Sequence, residues 1–98
     1  MELAGATVLV TGGRGGLGSR TCEAFLDAGA SVMAADVAPV GAGRLVDGVA
    51  QIQADTSTAA GAQAAVDAAV ARFGRLDVLV NNAGIKSWVG ERTPLRSR

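Results

Sequence analysis

A glycine-rich stretch at residues 11–18, Thr-Gly-Gly-Arg-Gly-Gly-Leu-Gly, constrains the fold of this chain more than any other feature. Residues 6–10 before it are β-branched and nearly all apolar, which is typical of a strand covered on both faces. In residues 17–28 after it, apolar side chains recur at helical spacing, and Gly29 supplies a stop signal. A strand, a glycine turn and a helix in this order predict the start of a parallel α/β unit.

A second apolar run, residues 31–35, predicts the second strand, and residues 49–54 predict the third. The connection between them, residues 37–48, contains a proline and three glycines, so we predict only a short helix there, at 43–47. The connection is still long enough to cross between two parallel strands.

A second long helix and a fourth strand follow. Ser57 or Thr58 can cap a helix that continues to Phe73 and ends at Gly74, and residues 77–80 predict a short strand. The positions expected to face inward on this helix are Ala62, Val66, Ala69, Val70 and Phe73. The alternation predicts an α/β fold, a Rossmann-type doubly wound parallel sheet with strand order 3-2-1-4 that is truncated after the fourth strand.

The glycines of the first turn can hold a phosphate group as well as bend the chain. Gly12, Gly16 and Gly18 satisfy the spacing G-x-x-x-G-x-G, while Gly13, Gly15 and Gly18 satisfy G-x-G-x-x-G. Glycine permits positive φ and lets the backbone approach a pyrophosphate, whose charge is stabilised by N–H groups at the helix start. A purely structural turn is the alternative. A P-loop is excluded, because no Lys-Ser or Lys-Thr follows the glycines.

An acidic residue at the end of the second strand completes the dinucleotide-binding pattern. Asp36 lies eighteen residues after Gly18, where its carboxylate can accept hydrogen bonds from the adenosine ribose and repel a 2′-phosphate. This favours NAD over NADP, although Asp36 could also be a solvated turn carboxylate. Arg14 supports the opposite preference, since a guanidinium near the loop could meet a 2′-phosphate.

Three motifs in this order resemble the classical short-chain dehydrogenase/reductase family over about residues 3–85. They are Thr11-Gly12-x-x-x-Gly16-x-Gly18, Asp55-Thr56 after the third strand, and Asn81-Asn82-Ala83-Gly84 after the fourth. The resemblance places the glycine loop at the pyrophosphate, residues 36–37 at the adenosine ribose, 55–56 at the adenine, and 82–84 near the nicotinamide ribose. The predicted cofactor-binding residues are Gly12, Arg14, Gly15, Gly16, Leu17, Gly18, Asp36, Val37, Asp55, Thr56, Asn82, Ala83 and Gly84.

The resemblance also bears on the choice between NAD and NADP. In NADP-preferring members a basic residue often precedes the second glycine of the first motif or follows the acidic position. Gly15 and Val37 occupy those two places here, so Asp36 is the better guide and NAD is the expected cofactor.

The catalytic residues that the resemblance implies are absent from these 98 residues. Hydride transfer between an alcohol and a ketone depends in the family on a Ser and a Tyr-x-x-x-Lys pair beyond Asn-Asn-Ala-Gly, yet the sequence has no tyrosine and only one lysine, Lys86. We assign no catalytic residue and expect the cofactor-binding part of an NAD(P)-dependent oxidoreductase, inactive on its own. The alternatives are a non-catalytic dinucleotide-binding or sensing module, and an interaction fragment that pairs through the open edge of its fourth strand.

Charge and cysteine content exclude several other classes. Nine basic residues balance nine acidic ones, so the net charge is zero and does not indicate a nucleic-acid or membrane partner. Cys22 alone makes neither a disulfide nor a metal site, and the N-terminus shows no targeting signal. We therefore expect a cytoplasmic protein without a metal.

The last fourteen residues differ from the rest of the chain. Residues 1–84, the predicted part of a Rossmann domain, carry five arginines against eight acidic residues, whereas 85–98 carry four basic residues against Glu91. This second segment is rich in Arg, Ser and Pro and has no strand or helix period, so we predict an irregular basic tail produced by truncation or a shifted reading frame. An unpaired fourth strand also predicts marginal stability and self-association.

Overall fold

The computed structural model describes residues 2–82, and within them four parallel strands alternate with two helices. The elements are β1 (Thr7–Thr11), α1 (Gly16–Asp27), β2 (Ser31–Asp36), β3 (Ala50–Gln53), α2 (Ala59–Phe73) and β4 (Val78–Asn81). The sheet order is β3-β2-β1-β4. The Rossmann-type parallel sheet and its strand order are therefore confirmed. Ala83, Gly84 and the predicted tail at 85–98 lie outside the described residues.

The short helix predicted at 43–47 does not form, and this prediction is wrong. The connection between β2 and β3 consists of turns and bends, with positive φ angles at Gly41, Gly43 and Gly48. Left-handed residues recurring this often interrupt the hydrogen-bond pattern of a right-handed helix. The connection therefore joins the parallel strands β2 and β3 as irregular chain.

The core lies on both faces of β1 and β2. Val8 and Val10 pack on the face covered by α1, together with Cys22, while Leu9 and Met33 pack on the face covered by α2. Burial raises the pKa of the Cys22 thiol to about 11, so that it is a neutral core group at physiological pH. Coverage on both faces explains why β1 and β2 are almost continuously apolar.

The inner face of α2 includes most of the predicted stripe but not Val70. Ala65 and Ala69 are completely buried, whereas Val70 is 43% exposed. Alanine occupies so many positions of this helix that the apolar period is weak, and the small Ala65 and Ala69 side chains face the sheet. The first turn of α2 also lies close to the chain that precedes it, which explains Gly61. An added Cβ at this position would lie 1.8 Å from the Asp55 carbonyl oxygen.

An aspartate joins the amino ends of β1 and β4. Asp77 Oδ2 accepts a hydrogen bond of 2.8 Å from the Thr7 amide, and the Asp77 amide donates to the Thr7 carbonyl at 3.0 Å. The Arg75 guanidinium donates to both carboxylate oxygens. The bonds from Arg75, and then that from Thr7, lower the pKa of Asp77. The ionised carboxylate therefore favours the folded state.

We expect Asp77→Asn to lower the free energy of unfolding at pH 7. The pKa of Asp77 is lower in the folded than in the unfolded chain, so its contribution is complete above the unfolded pKa and is lost as pH falls through the folded pKa. The stability difference between wild type and variant should shrink between pH 5 and pH 2 (about the range in which carboxylates titrate), measured by urea unfolding. Asp47→Asn removes the same charge from an exposed site and is the control. An Asp77→Asn difference that is the same at both ends of this range would contradict the assignment.

Candidate functional site

A cavity of about 430 Å³ opens at the carboxyl ends of the strands. Its lining residues come from the turn after β1, the start of α1, and the ends of β2, β3 and β4: Gly12, Arg14, Gly15, Gly16, Leu17, Gly18, Asp36, Val37, Ala54, Asp55, Thr56, Ser57 and Asn82. Every predicted site residue within 2–82 is among them. Ala54 and Ser57 are additions that the sequence motifs did not indicate, and the predicted Ala83 and Gly84 lie outside the described residues.

Helix α1 begins at this cavity without a side-chain cap. Its N-cap is Gly15, which supplies no side-chain hydrogen bond, and its first turn contains no acidic residue. Helix α2, by contrast, is capped by Thr58, whose Oγ1 accepts a hydrogen bond of 3.0 Å from the Gly61 amide. The backbone N–H groups and the positive end of the dipole of α1 are thus left for an anion in the cavity.

Three of the loop glycines are required by the fold itself. Gly12 has a φ of +67°. A Cβ on Gly18 would lie 1.9 Å from the Gly12 carbonyl oxygen, and one on Gly13 would lie 2.6 Å from Ala34 Cβ. These glycines allow the loop to pack against β2 and α1 to start directly above β1. They would be needed with or without a ligand.

Gly16 is different. A Cβ built on it has no heavy atom within 4 Å, and its φ is not in the left-handed region. Neither packing nor backbone conformation therefore requires a glycine at this position. The surface that it keeps free of a side chain is the wall of the cavity.

Asp36 is held at the rim of the cavity by two backbone amides. Its Oδ2 accepts from the Arg14 amide at 3.1 Å, and its Oδ1 accepts from the Ala38 amide at 3.2 Å. The carboxylate is half-buried, and each oxygen has room for a further hydrogen bond. Asp36 is therefore a hydrogen-bond acceptor held in place between the glycine loop and the end of β2, and it is not simply a solvated turn residue. Val37 beside it is 65% exposed.

The Arg14 side chain lies inside the cavity wall. The residue is 3% exposed, and its guanidinium donates to the carbonyl oxygens of Ala38 and, at 3.3 Å, Ile52. Its charge is thus engaged by backbone carbonyls at the ends of β2 and β3. The sequence indicates a cation near the loop, and the structure shows that it points inward.

Asp55, which follows β3, forms another part of the cavity wall. Its Oδ1 accepts from the Ser57 amide at 3.0 Å and from Ser57 Oγ at 2.5 Å, and these bonds lower the pKa of Asp55. The Asp55 carbonyl in turn accepts from the Thr58 amide at 3.2 Å. The spacing Asp-Thr-Ser is typical of such a turn and was the available signal for Ser57.

The end of β4 is tied to the end of β1 by a hydroxyl. Thr11 Oγ1 accepts a hydrogen bond of 2.9 Å from the Asn82 amide and donates to Asn81 Oδ1 at 3.1 Å. Asn82 is buried, and its Nδ2 reaches the Gly12 carbonyl at 3.5 Å. Thr11 is thus a supporting residue, which the first motif includes but which is not among the predicted cofactor-binding residues.

Residues 2–82 lack two further features. Neither helix is long and apolar enough to span a membrane. The described part of the chain also contains no group of three or more His, Cys, Asp or Glu side chains placed to hold a metal ion.

The chain is similar to known dehydrogenases over most of its length. The family model described as short chain dehydrogenase matches residues 6–96. The chain is 39% identical over 90 residues to 3beta-hydroxysteroid dehydrogenase 2 of Eggerthella lenta, covering 85% of this chain and 35% of that protein. It is 39% identical over 89 residues to momilactone A synthase of Oryza sativa subsp. japonica, covering 86% and 32%.

The fold of the chain is also similar to that of solved structures. The crystal structure of 3-ketoacyl-(acyl-carrier-protein) reductase from Brucella melitensis complexed with NADH is similar with a TM-score of 0.69 at 36% identity, over 79% of this chain and 34% of that one. The chain therefore spans about a third of the length of these relatives.

We expect Thr11→Val to lower the free energy of unfolding by about 1–3 kcal/mol, because the buried Asn82 amide would lose its acceptor. Valine keeps the shape of threonine, so the change isolates the hydroxyl. Urea unfolding of wild type, Thr11→Val and Thr11→Ser measures the effect, with serine expected to keep most of the stability. A valine variant as stable as wild type would contradict the role given to the hydroxyl.

Proposed function

This chain belongs to the short-chain dehydrogenase family, and we propose on that premise that its described residues form the part of an NAD site that holds the pyrophosphate and the adenosine. The family binds NAD(P), and the chain corresponds to the N-terminal, cofactor-binding region of its relatives. The activity proposed for the protein to which this region belongs is hydride transfer between an alcohol and a ketone.

Gly16 carries the proposal. A glycine that neither backbone conformation nor packing requires, at the wall of a cavity, indicates that something outside the chain must approach that backbone closely. Gly16 is also the first residue of a helix without a side-chain cap. Close approach and free N–H groups together suit a pyrophosphate better than a neutral ligand.

The remaining contacts are those that the family resemblance implies for residues lining this cavity. Asp36 would accept hydrogen bonds from the adenosine ribose, and Val37 would cover the ribose and the adenine. The Asp55 carboxylate, kept ionised by Ser57, would accept from the adenine amino group, with Thr56 beside it. Asn82 would support the ribose nearer the nicotinamide. When bound, the nicotinamide would supply the hydride chemistry.

The cofactor is proposed to be NAD rather than NADP. A carboxylate fixed at the ribose position accepts hydrogen bonds from a diol but repels a phosphate. Arg14, the cation of the loop, is turned inward onto the Ala38 and Ile52 carbonyls. Both observations favour the cofactor without a 2′-phosphate.

Binding without catalysis is proposed for the 98 residues alone. The family resemblance implies a Ser and a Tyr-x-x-x-Lys pair for the proton that accompanies the hydride, and this sequence contains no tyrosine. A dinucleotide-sensing module would bind NADH in the same way, whereas an interaction fragment that pairs through β4 would not need to. Self-association through β4 stays a prediction, which light scattering can test.

We expect Gly16→Ala to weaken NADH binding about tenfold without lowering stability. The methyl group has free space in the protein, and alanine is a better helix former than glycine, but the methyl would occupy the surface that the pyrophosphate approaches. Fluorescence titration of NADH and thermal melting are the two measurements.

Gly18→Ala is the contrasting variant, because its methyl would clash with the Gly12 carbonyl and should lower the melting temperature. The proposal fails if wild type shows no saturable NADH binding, or if Gly16→Ala binds as tightly as wild type.

We expect Asp36→Asn to shift the ratio of NADPH to NADH affinity about tenfold toward NADPH, because the variant removes the charge that repels a 2′-phosphate. Dissociation constants for both cofactors are compared, with the exposed Asp47→Asn as the charge control. Wild type binding NADPH as tightly as NADH would count against the NAD assignment.

A further inference from the structure

Arg14 is the one charged residue that is buried among residues 2–82. No carboxylate of the described residues lies within 4.0 Å of its guanidinium, since the ion pair in this part of the chain joins Arg75 and Asp77. Its Nε also has no hydrogen-bond partner among the described residues. Burying a cation on neutral acceptors costs free energy, so the position calls for a role that offsets the cost.

The contacts of Arg14 join the glycine loop to β3 and, at two points, to the connection between β2 and β3. Its guanidinium donates to the carbonyls of Ala38, after β2, and Ile52, within β3. Its own carbonyl accepts a hydrogen bond of 2.8 Å from the Arg44 amide, in the irregular connection between those strands. Nearby, a Cβ on Gly43 would lie 2.6 Å from the Arg14 carbonyl oxygen, so the connection packs tightly against the loop.

These contacts converge on Asp36. The two amides that hold the Asp36 carboxylate belong to Arg14 itself and to Ala38. The guanidinium of Arg14 holds the Ala38 carbonyl. One residue therefore determines the position of both donors to Asp36, one through its backbone and the other through its side chain.

We propose that Arg14 is a positioning residue that fixes Asp36 for the adenosine ribose and thereby sets the discrimination between NADH and NADPH. This proposal rests on the dinucleotide site proposed above. It assigns Arg14 a role opposite to that of a 2′-phosphate ligand, because a guanidinium serving the phosphate would have to leave two carbonyls inside the cavity wall. The two roles change the affinities in opposite directions.

The test measures NADH and NADPH dissociation constants of the full chain by fluorescence titration, together with the melting temperature of each variant. Arg14→Met keeps an unbranched, largely apolar stem but removes the charge and the donors of the guanidinium. We expect NADH affinity to fall about tenfold and NADPH affinity to change less, so that the discrimination between them declines. Arg14→Lys keeps the charge and some donors, and its discrimination should be intermediate.

Arg44→Met is the matched control. It removes an exposed positive charge beside the same loop but keeps the backbone amide that donates to the Arg14 carbonyl, so its discrimination should equal that of wild type. A comparable loss in Arg44→Met would make local charge the cause and overturn the proposal.

Other outcomes are equally decisive. A larger loss of NADPH than of NADH binding in Arg14→Met would make Arg14 a phosphate ligand. Equal losses of both with a lower melting temperature, in the methionine and the lysine variant alike, would make it a general folding determinant, and unchanged discrimination would leave it without the assigned role. Each of these overturns the proposal for Arg14 alone. Absence of NADH binding in wild type would instead overturn the dinucleotide site.

Discussion

The structure depends on a close approach between two backbone segments, the turn after β1 and the first turn of α1. At Gly18 there is no room for a methyl group, since a Cβ would lie 1.9 Å from the Gly12 carbonyl oxygen. This contact sets the start of the helix directly above the end of the strand. The uncapped N-terminus of α1 therefore faces the same cavity as the ends of β2 and β3. Without it, the start of α1 would not lie at the cavity that Asp36 and Asp55 line.

Much of this arrangement follows from local sequence signals. Glycines mark the turn after β1 and the ends of both helices, and the alternation of strands and helices predicts a parallel sheet with β1 inside it. The carboxyl ends of parallel strands share one edge, so the residues that gather at the cavity were predictable from their positions after strands. The strand order and the position of Asp36 belong to this class, whereas Asp55 was indicated by the family resemblance.

The features that the sequence did not predict have physical reasons as well. Positive φ angles at Gly41, Gly43 and Gly48 interrupt the connection in which a short helix was predicted at 43–47, and the alanine-rich sequence of α2 does not specify the limits of its buried face. The direction of the Arg14 side chain depends on carbonyls from two other segments. Thr11 acts through a hydrogen bond to a residue far along the chain, which no local pattern indicates.

The pairing of β1 with β4 has a consequence for the order of folding. The hydrogen bonds that join these strands at either end link residues 70 and 71 positions apart, Thr7 with Asp77 and Thr11 with Asn82. Contacts of such high sequence separation require closing a long loop, which slows folding. During synthesis, the glycine turn and α1 emerge early, but β1 gains its second neighbour only after residue 82 has left the ribosome. The glycine turn is thus made first, and the wall containing Asn82 is the last part of the cavity to close.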